Sequence, residues 1–491
     1  MYIKKNSVVW SLFLILVLTL FVGCAGSSGS SYNSTAPLSA ENVNLIFVVS
    51  PDLTYQTPGD VNPDTANLTN QGLQRSLLLA TYLKTQVLGR KNVNGIYVLA
   101  PMTHLQTANN YPDMAAIWYI QQFALLNQIN LPVDKNGTKY TANSYLINAA
   151  YAPGSVPRGV VLPTTYCPDC QGLDFNNTNG SNDTLVSGII NKKIPGYYVF
   201  SAPWETISAL LANTNSQQGY NLTLPATYVD TNYVYAISIA PSGDAYLVTY
   251  NSKLKPPSTY PVLPLPVTRA SCTYTQQPYF STTRTGGVHG VVIPANINKN
   301  QIIYIVRHAE AHPGNVFENG NYVGAGQWRA LELPNALRGK ISPNMVYSID
   351  PAQWFNVSSV SPPFNVSYVR PSLTVLPYAI ANNLPYYLVS SFYIVDQNVA
   401  PLASDFFFTG GNLSNKNILL AWESTRIKPL INALLKSYGG SGLPLLDPNW
   451  PIDDYDTIWT VTLDASGNLT VDNALCEGID SAALPATAPQ F

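Results

Sequence analysis

The chain reads as an α/β protein made of two tandem three-layer α/β/α domains with mostly parallel sheets. Three observations predict this. Short Ile/Val/Tyr-rich runs stand between polar residues, as buried strands of parallel sheets do. These runs alternate with longer segments of helical apolar spacing, which implies sheets covered by helices. Four blocks of the first half also recur in the same order in the second.

Taken in order, Asn44 to Val49 is a predicted strand, Leu73 to Leu88 a helix, Gly95 to Leu99 a strand and Met114 to Leu126 a helix. The second half repeats the pattern with a strand at Ile302 to Val306, a helix at Gly326 to Leu337, a strand at Met345 to Ile349 and a helix at Leu373 to Asn382. The first repeated block is Asn44 to Asp52 against Ile302 to Glu310, with Ser50-Pro51 in the Arg307-His308 place. Next, Tyr197 to Thr206 matches Asn417 to Ser424, with Trp204-Glu205 set against Trp422-Glu423. The apolar segments Ile207 to Leu211 and Ile431 to Leu435 follow. Tyr228-Val229-Asp230-Thr231 then pairs with Asp454-Tyr455-Asp456-Thr457, and each leads into a β-rich stretch with a Ser-Gly turn, Ser242-Gly243 and Ser466-Gly467.

Between the halves, Lys255 to Pro266 is dense in proline. It reads either as an extended, semi-rigid connector or as a surface crossover pinned near Cys272. The expected organisation is a signal peptide over 1–24, a flexible tether over 25–42, one domain over 43–252, a Pro-rich linker over 253–298 and a second domain over 299–491.

Lys4 and Lys5 precede an apolar stretch, Val8 to Val22, too short for a typical spanning helix. It ends in Phe21-Val22-Gly23-Cys24, which resembles the lipobox of bacterial lipoproteins. That resemblance implies lipidation of Cys24 and a membrane contact through the lipid. The Gly/Ser run Gly26 to Ser31 would be the tether. The expected location is the bacterial cell envelope, lipid-anchored and extracytoplasmic. Ala25 after the cysteine favours the outer membrane if the cell has one.

The net charge of −2 suggests no nucleic-acid partner. Charged residues make up 11% of the chain, against roughly 25% in typical soluble domains. Tyr, Pro, Asn, Ser and Thr take their place, which suits an exported protein. Cys167, Cys170, Cys272 and Cys476 favour two disulfides in an oxidising compartment. Three pairings are open, and the preferred one joins Cys167 to Cys170 and Cys272 to Cys476. A redox Cys-Pro-Asp-Cys site lacks its usual βαβ context, and a zinc site at this pair lacks further ligands of suitable spacing.

The chemistry centres on Arg307-His308-Ala309-Glu310-Ala311-His312, directly after the strand Ile302 to Val306. Open α/β sheets place ligands at this carboxyl edge. A guanidinium grips phosphate oxygens by paired hydrogen bonds, and a neutral imidazole nitrogen is a nucleophile. Arg307-His308-Ala309-Glu310 resembles the Arg-His-Gly-Glu signature of the histidine phosphatase superfamily, the phosphoglycerate-mutase-like proteins. Arg370-Pro371-Ser372-Leu373-Thr374 resembles that family's later Arg-x-x-x-Thr motif. In the first half, Leu68-Thr69-Asn70-Gln71-Gly72 and Ala100-Pro101 to Gln106-Thr107-Ala108 resemble its Leu-Thr-x-x-Gly and Ser-Pro…Gln-Thr-Ala stretches.

The resemblance implies that His308 takes the phosphoryl group as a phosphohistidine. Arg307 and Arg370 would clamp the phosphate, and no metal or cofactor would be needed. A carboxylate must protonate the leaving oxygen. Glu310, Glu423, Asp396 and Asp405 are candidates, with Glu423 best placed, although it could instead cap a neighbouring helix. The family's second histidine, at the end of the later strand, is missing. Ser424 follows Glu423 there, and Thr206 is the first-half counterpart. His312 is a possible auxiliary, ahead of His104 and His289. Losing such a donor costs on the order of 10²–10³ in rate. The expected function is a phosphohydrolase acting on a phosphorylated small molecule or other phosphoester, with a non-catalytic first half. A pseudophosphatase that binds phosphorylated ligands, or serves an envelope structural role, is the alternative.

Overall fold

Two mixed sheets carry the chain. In this computed structural model the described residues are 31–33, 36–55, 59–131, 133–134, 137, 140–151, 167, 169, 171–275, 279–283, 290–312, 318–389 and 399–491. The expectations on Cys24, its signal peptide, Cys170, His289 and Asp396 fall outside them.

The first sheet contains β1 (Ser31–Asn33), β2 (Val43–Val49), β3 (Gly95–Val98), β4 (Gly196–Ala202), β5 (Tyr233–Ile239) and β6 (Ala245–Asn251), in the order β1-β6-β5-β2-β4-β3. The second contains β7 (Phe280–Ser281), β8 (Gln301–Arg307), β9 (Met345–Ile349), β10 (Tyr386–Val389), β11 (Asn417–Trp422), β12 (Thr457–Leu463) and β13 (Leu469–Cys476). Its order is β7-β13-β12-β8-β11-β9-β10. In both, the first long strand (β2, β8) pairs parallel to one neighbour (β4, β11) and antiparallel to the other (β5, β12). The two sheets are therefore mixed, with six parallel and five antiparallel strand pairings among the described residues. The Ser-Gly turns close hairpins, β5–β6 and β12–β13, and a tight hairpin can only be antiparallel.

Helices α1 (Asn70–Tyr82), α2 (Ala115–Leu125), α3 (Ser181–Lys192) and α4 (Trp204–Gln218) belong to the first half. Helices α5 (Gly324–Ala336), α6 (Arg370–Ala381), α7 (Val399–Phe408) and α8 (Ser424–Ser437) belong to the second. Thr69 caps α1 by accepting from Gly72 N at 3.2 Å. Gly72 has to be glycine, because a Cβ there would lie 2.2 Å from Asp60 O. The predicted long helix ends early as an α-helix, since Leu83–Val87 forms a π-helical turn.

Strand alternation sends Leu45 and Phe47 toward α3 and α4, and Ile46 and Val48 toward α1 and α2. Likewise Ile303 and Ile305 face α7 and α8, while Tyr304 and Val306 face α5 and α6. The α1/α2 and α5/α6 layers share one apolar core between the two sheets. Polar ties cross the same boundary. Gln121 and Asn321 exchange side-chain hydrogen bonds at 2.9 and 3.0 Å. Ser367 Oγ accepts from Ala149 N and Ala150 N at 3.0 Å each.

The segment after β6 is held along its course. Arg75 Nη1 donates to Leu254 O at 2.9 Å, Tyr260 Oη to Leu331 O at 2.8 Å, and Ala270 N to Gly478 O at 3.1 Å. Cys272 and Cys476 then form a disulfide, with Cα atoms 5.6 Å apart and a sequence separation of 204. Replacing both with serine is expected to lower stability by about 2–5 kcal/mol, because the unfolded chain regains a long loop's freedom. Urea unfolding of the double variant, against the oxidised and reduced wild type, measures this. Among the described residues no helix is long and apolar enough to cross a membrane.

Candidate active site

Strand β8 ends at Arg307, and the next residue, His308, donates its backbone N–H to Trp422 O at the end of β11, 3.0 Å away. The carboxyl edge of the second sheet thus opens into a cleft of about 920 Å³. Arg307, His308, Glu310, His312, Arg370, Glu423 and Ser424 all line it. Helix α6 begins at Arg370, and its Thr374 lies one turn on. Thr374 Oγ1 accepts from Ala309 N at 2.8 Å and donates to Arg370 O at 2.9 Å, so the Arg-x-x-x-Thr spacing fastens the loop that carries His308.

His308 is buried, and its Nδ1 lies 2.8 Å from Ala309 O. A carbonyl only accepts, so Nδ1 carries the proton and Nε2 keeps the lone pair. Burial, with Arg370 and then Arg307 adding, holds His308 well below the usual imidazole value. The ring is therefore neutral at pH 7, as a nucleophile requires.

The two arginines are anchored by part of each guanidinium. Arg307 Nη1 donates to Ile452 O at 3.0 Å and Asp454 O at 3.1 Å, and its Cζ lies 3.9 Å from the Tyr455 ring centre. Arg370 Nη1 lies 2.9 Å from both carboxylate oxygens of Glu318. The Nε of each arginine is buried with no hydrogen-bond partner among the described residues. Buried guanidinium N–H groups without partners are costly, and an oxyanion in the cleft would satisfy them.

The carboxylates divide. Glu423 is the N-cap of α8. Its Oε2 accepts from Thr425 N at 3.0 Å and from Thr425 Oγ1, and its Oε1 accepts from Ser424 Oγ at 3.0 Å. Glu310 Oε1 accepts from Arg329 Nε at 2.8 Å, whereas its Oε2 is buried without a partner among the described residues. Arg329 is fully buried and also pairs with Glu477 and Ser481 Oγ. Glu423→Ala is expected to lower stability by about 1 kcal/mol through loss of the cap. Turnover should fall far less than in Glu310→Gln, and paired urea-unfolding and steady-state assays measure both.

His312 lines the cleft and is pushed down to about 4, by burial first and with Arg370 contributing. Asp405 is exposed on α7, outside the cleft. His104 lies in the other half, 2.8 Å from Asp52. Sequence reasoning passed over Glu318, Arg329 and Tyr455. Asp454 to Thr457 drew notice only as a repeat block, and nothing local marks the other two as partners of the motif.

At the matching edge of the first sheet, Ser50 N donates to Ala202 O at 2.9 Å, as His308 N does to Trp422 O. Ser50 therefore takes the place of His308 and Val49 that of Arg307, which keeps Asn44–Asp52 in register with Ile302–Glu310 but puts Ser50-Pro51 one residue away from the Arg307-His308 place. Likewise Ala202 takes the place of Trp422, so Trp204-Glu205 lies two residues beyond Trp422-Glu423, and Trp204 rather than Thr206 stands where Ser424 does. Asp230-Thr231 is also two residues out of register with Asp456-Thr457. The strands keep their frame, while the dipeptides sit in turns of unequal length.

No family model matches the chain, and no curated protein does. Among solved structures, a protein described as mycobacterial hydrolase 2 is 14% identical with a TM-score of 0.22, over 36% of this chain and 91% of that one. A putative phosphohistidine phosphatase SixA from Nakamurella multipartitia is 14% identical with a TM-score of 0.22, over 40% and 96%. A phosphoserine phosphatase from Entamoeba histolytica, a histidine-to-alanine mutant in complex with phosphoserine, is 14% identical with a TM-score of 0.20, over 35% and 97%. Likenesses this low carry no argument about activity. The geometry of the cleft has to carry it.

Proposed function

We propose that this chain is a cell-envelope lipoprotein with two tandem histidine-phosphatase-like domains, over 43–252 and 299–491, the second of which hydrolyses phosphate monoesters through His308. The observation that carries the reading is a buried, neutral imidazole with its Nδ1 proton tied to a carbonyl, sharing one cleft with two arginines whose Nε groups lack partners.

In this reading the phosphate sits against Arg307 and Arg370, which offset charge on its oxygens. His308 Nε2 attacks phosphorus, and the bond to the ester oxygen breaks. The leaving oxygen takes a proton from Glu310, whose Oε2 is uncommitted while Arg329 holds Oε1. Water then attacks the phosphohistidine, its proton returns to Glu310, and phosphate leaves. The scheme uses no metal or cofactor. Ser424 supplies a neutral hydroxyl where the resemblance implies a second histidine, so the reaction is slow. The first domain is non-catalytic, since Ser50 and Val49 occupy the places of His308 and Arg307. The lipid on Cys24 ties the chain to the membrane.

A second reading, a pseudophosphatase that binds phosphorylated ligands without turnover, is favoured by Glu423 being spent on a helix cap and by Glu318 occupying Arg370 Nη1. Hydrolysis of an aryl phosphate, with and without EDTA, separates the two. Metal-independent release of the phenol, with an acid-labile phosphoenzyme on rapid quenching, is the expected result. Phosphate binding without release over hours would establish the second reading.

A further inference from the structure

The carboxyl edge of the first sheet has inverted the charge of its counterpart. Where the second half gathers Arg307, His308 and Arg370, the first gathers Asp52, His104 and Asp113. Asp52 follows Ser50 by two residues, as Glu310 follows His308. Asp113 stands two residues before α2, at the helix end where Arg370 opens α6. An edge arranged in this way repels phosphate and attracts a cation.

The three groups offer one ligand atom each, all within 4.8 Å of one another. Asp52 Oδ2 lies 2.8 Å from His104 Nε2. The outer oxygen, Asp52 Oδ1, accepts from Thr54 N at 2.8 Å and Tyr55 N at 2.9 Å, which sets the direction of Oδ2. The His104 ring stacks on Phe175 with centroids 3.7 Å apart, so its plane is held. Asp113 is 0% exposed, and its Oδ1 accepts from Ala115 N at 2.9 Å.

The second, independent observation concerns partners. Asp113 Oδ2 is buried with no hydrogen bond among the described residues, and so is Glu205 Oε2 at the start of α4. A carboxylate oxygen sealed from water without a donor costs free energy that a bound cation would recover.

We propose that Asp52, His104 and Asp113 bind one divalent transition-metal ion of the zinc class. One imidazole and two carboxylates match the nitrogen and oxygen preference of Zn²⁺, whereas Ca²⁺ takes six to eight oxygens. Binding replaces the proton between Asp52 and His104 and any proton on Asp113, so uptake releases protons. The site would act structurally, drawing the loop after β2, the loop after β3 and the segment before α2 together without catalysis.

The test uses the untagged full chain, stripped with chelator and dialysed against Zn²⁺ in phosphate-free buffer. One equivalent per chain is expected by metal analysis. It should be lost in His104→Gln and Asp113→Asn at Zn²⁺ concentrations that saturate the wild type, and retained in His312→Gln. X-ray absorption of the loaded wild type needs no variant, and should show one imidazole with oxygen ligands and no sulfur. Failure of the wild type to take up stoichiometric Zn²⁺, uptake that survives His104→Gln, or a first shell with sulfur or two imidazoles overturns the proposal. Aryl-phosphate turnover in the other half is read separately, so either idea can fail alone.

Discussion

His308→Ala is expected to reduce hydrolysis of an aryl phosphate by at least about 10³-fold and to abolish the acid-labile phosphoenzyme, because His308 is the buried imidazole that follows β8, with its Nδ1 proton tied to a carbonyl and the lone pair left on Nε2. The variant should stay folded. His308 makes one ring hydrogen bond, to the neighbouring carbonyl of Ala309, and its backbone N–H bond to Trp422 does not depend on the side chain. A thermal melt near that of the wild type checks this. The pH profile is a second readout. Burial, Arg370 and Arg307 hold His308 well below the ordinary value, so the nucleophile stays neutral as pH falls through 6.5, and the acid limb of turnover lies below that point. The linkage to stability has the same sign. The unfolded chain takes a proton on this ring near 6.5 while the folded chain does not, so stability is full above 6.5 and falls with acid. His312, held to about 4, adds to the loss between 6.5 and 4. Turnover by the His308→Ala protein within threefold of wild type would refute the phosphohistidine route.

Arg329→Leu is expected to cost about 3–5 kcal/mol of stability at pH 7. Arg329 is fully buried between Glu310 at 2.8 Å, Glu477 and Ser481, with Asp456 at 3.7 Å. Leucine fills much of its volume but leaves the buried carboxyl groups of Glu310 and Glu477 without their shared partner. Burial already pushes Glu477 up to about 8 with Arg329 opposing; without the guanidinium it stays protonated, which holds the loss toward the lower figure. The deficit should shrink in acid as the carboxylates take up protons. Chemical denaturation at pH 7 and pH 5 measures both parts. Turnover should fall as well, because Glu310 loses the partner that orients it. An unchanged denaturation midpoint would mean that the network contributes little.

How far the chain could be read depended on distance along it. Strand β8 and the motif after it were legible, because a buried Ile/Val/Tyr run and the residues that follow it are chain neighbours. Helix α6 was legible for the same reason, and its Arg370–Thr374 spacing lies within one turn. The antiparallel pairings were not legible, because strand direction depends on which strands pair, and the hairpins β5–β6 and β12–β13 reverse it. The Trp-Glu and Asp-Thr matches misled for a related reason. Identity of a dipeptide does not register turn length, whereas hydrogen bonds from Ser50 and His308 to the neighbouring strand do.

Taken alone, the sequence determined that the chain alternates strands with helices and that one Arg-His pair ends a buried strand. Each of these follows from apolar periodicity and local spacing, which need no partner from elsewhere in the chain. Tertiary structure alone decided which charge meets which. Glu318 settles on Arg370 from 52 residues away, Glu477 meets Arg329 across 148, and Asp52 meets His104 across 52. It also decided that Glu423 caps a helix and that the inner helices of both halves share one core. Such pairings depend on where distant segments come to rest. Side-chain reach is a few ångströms, and nothing in linear order sets that distance.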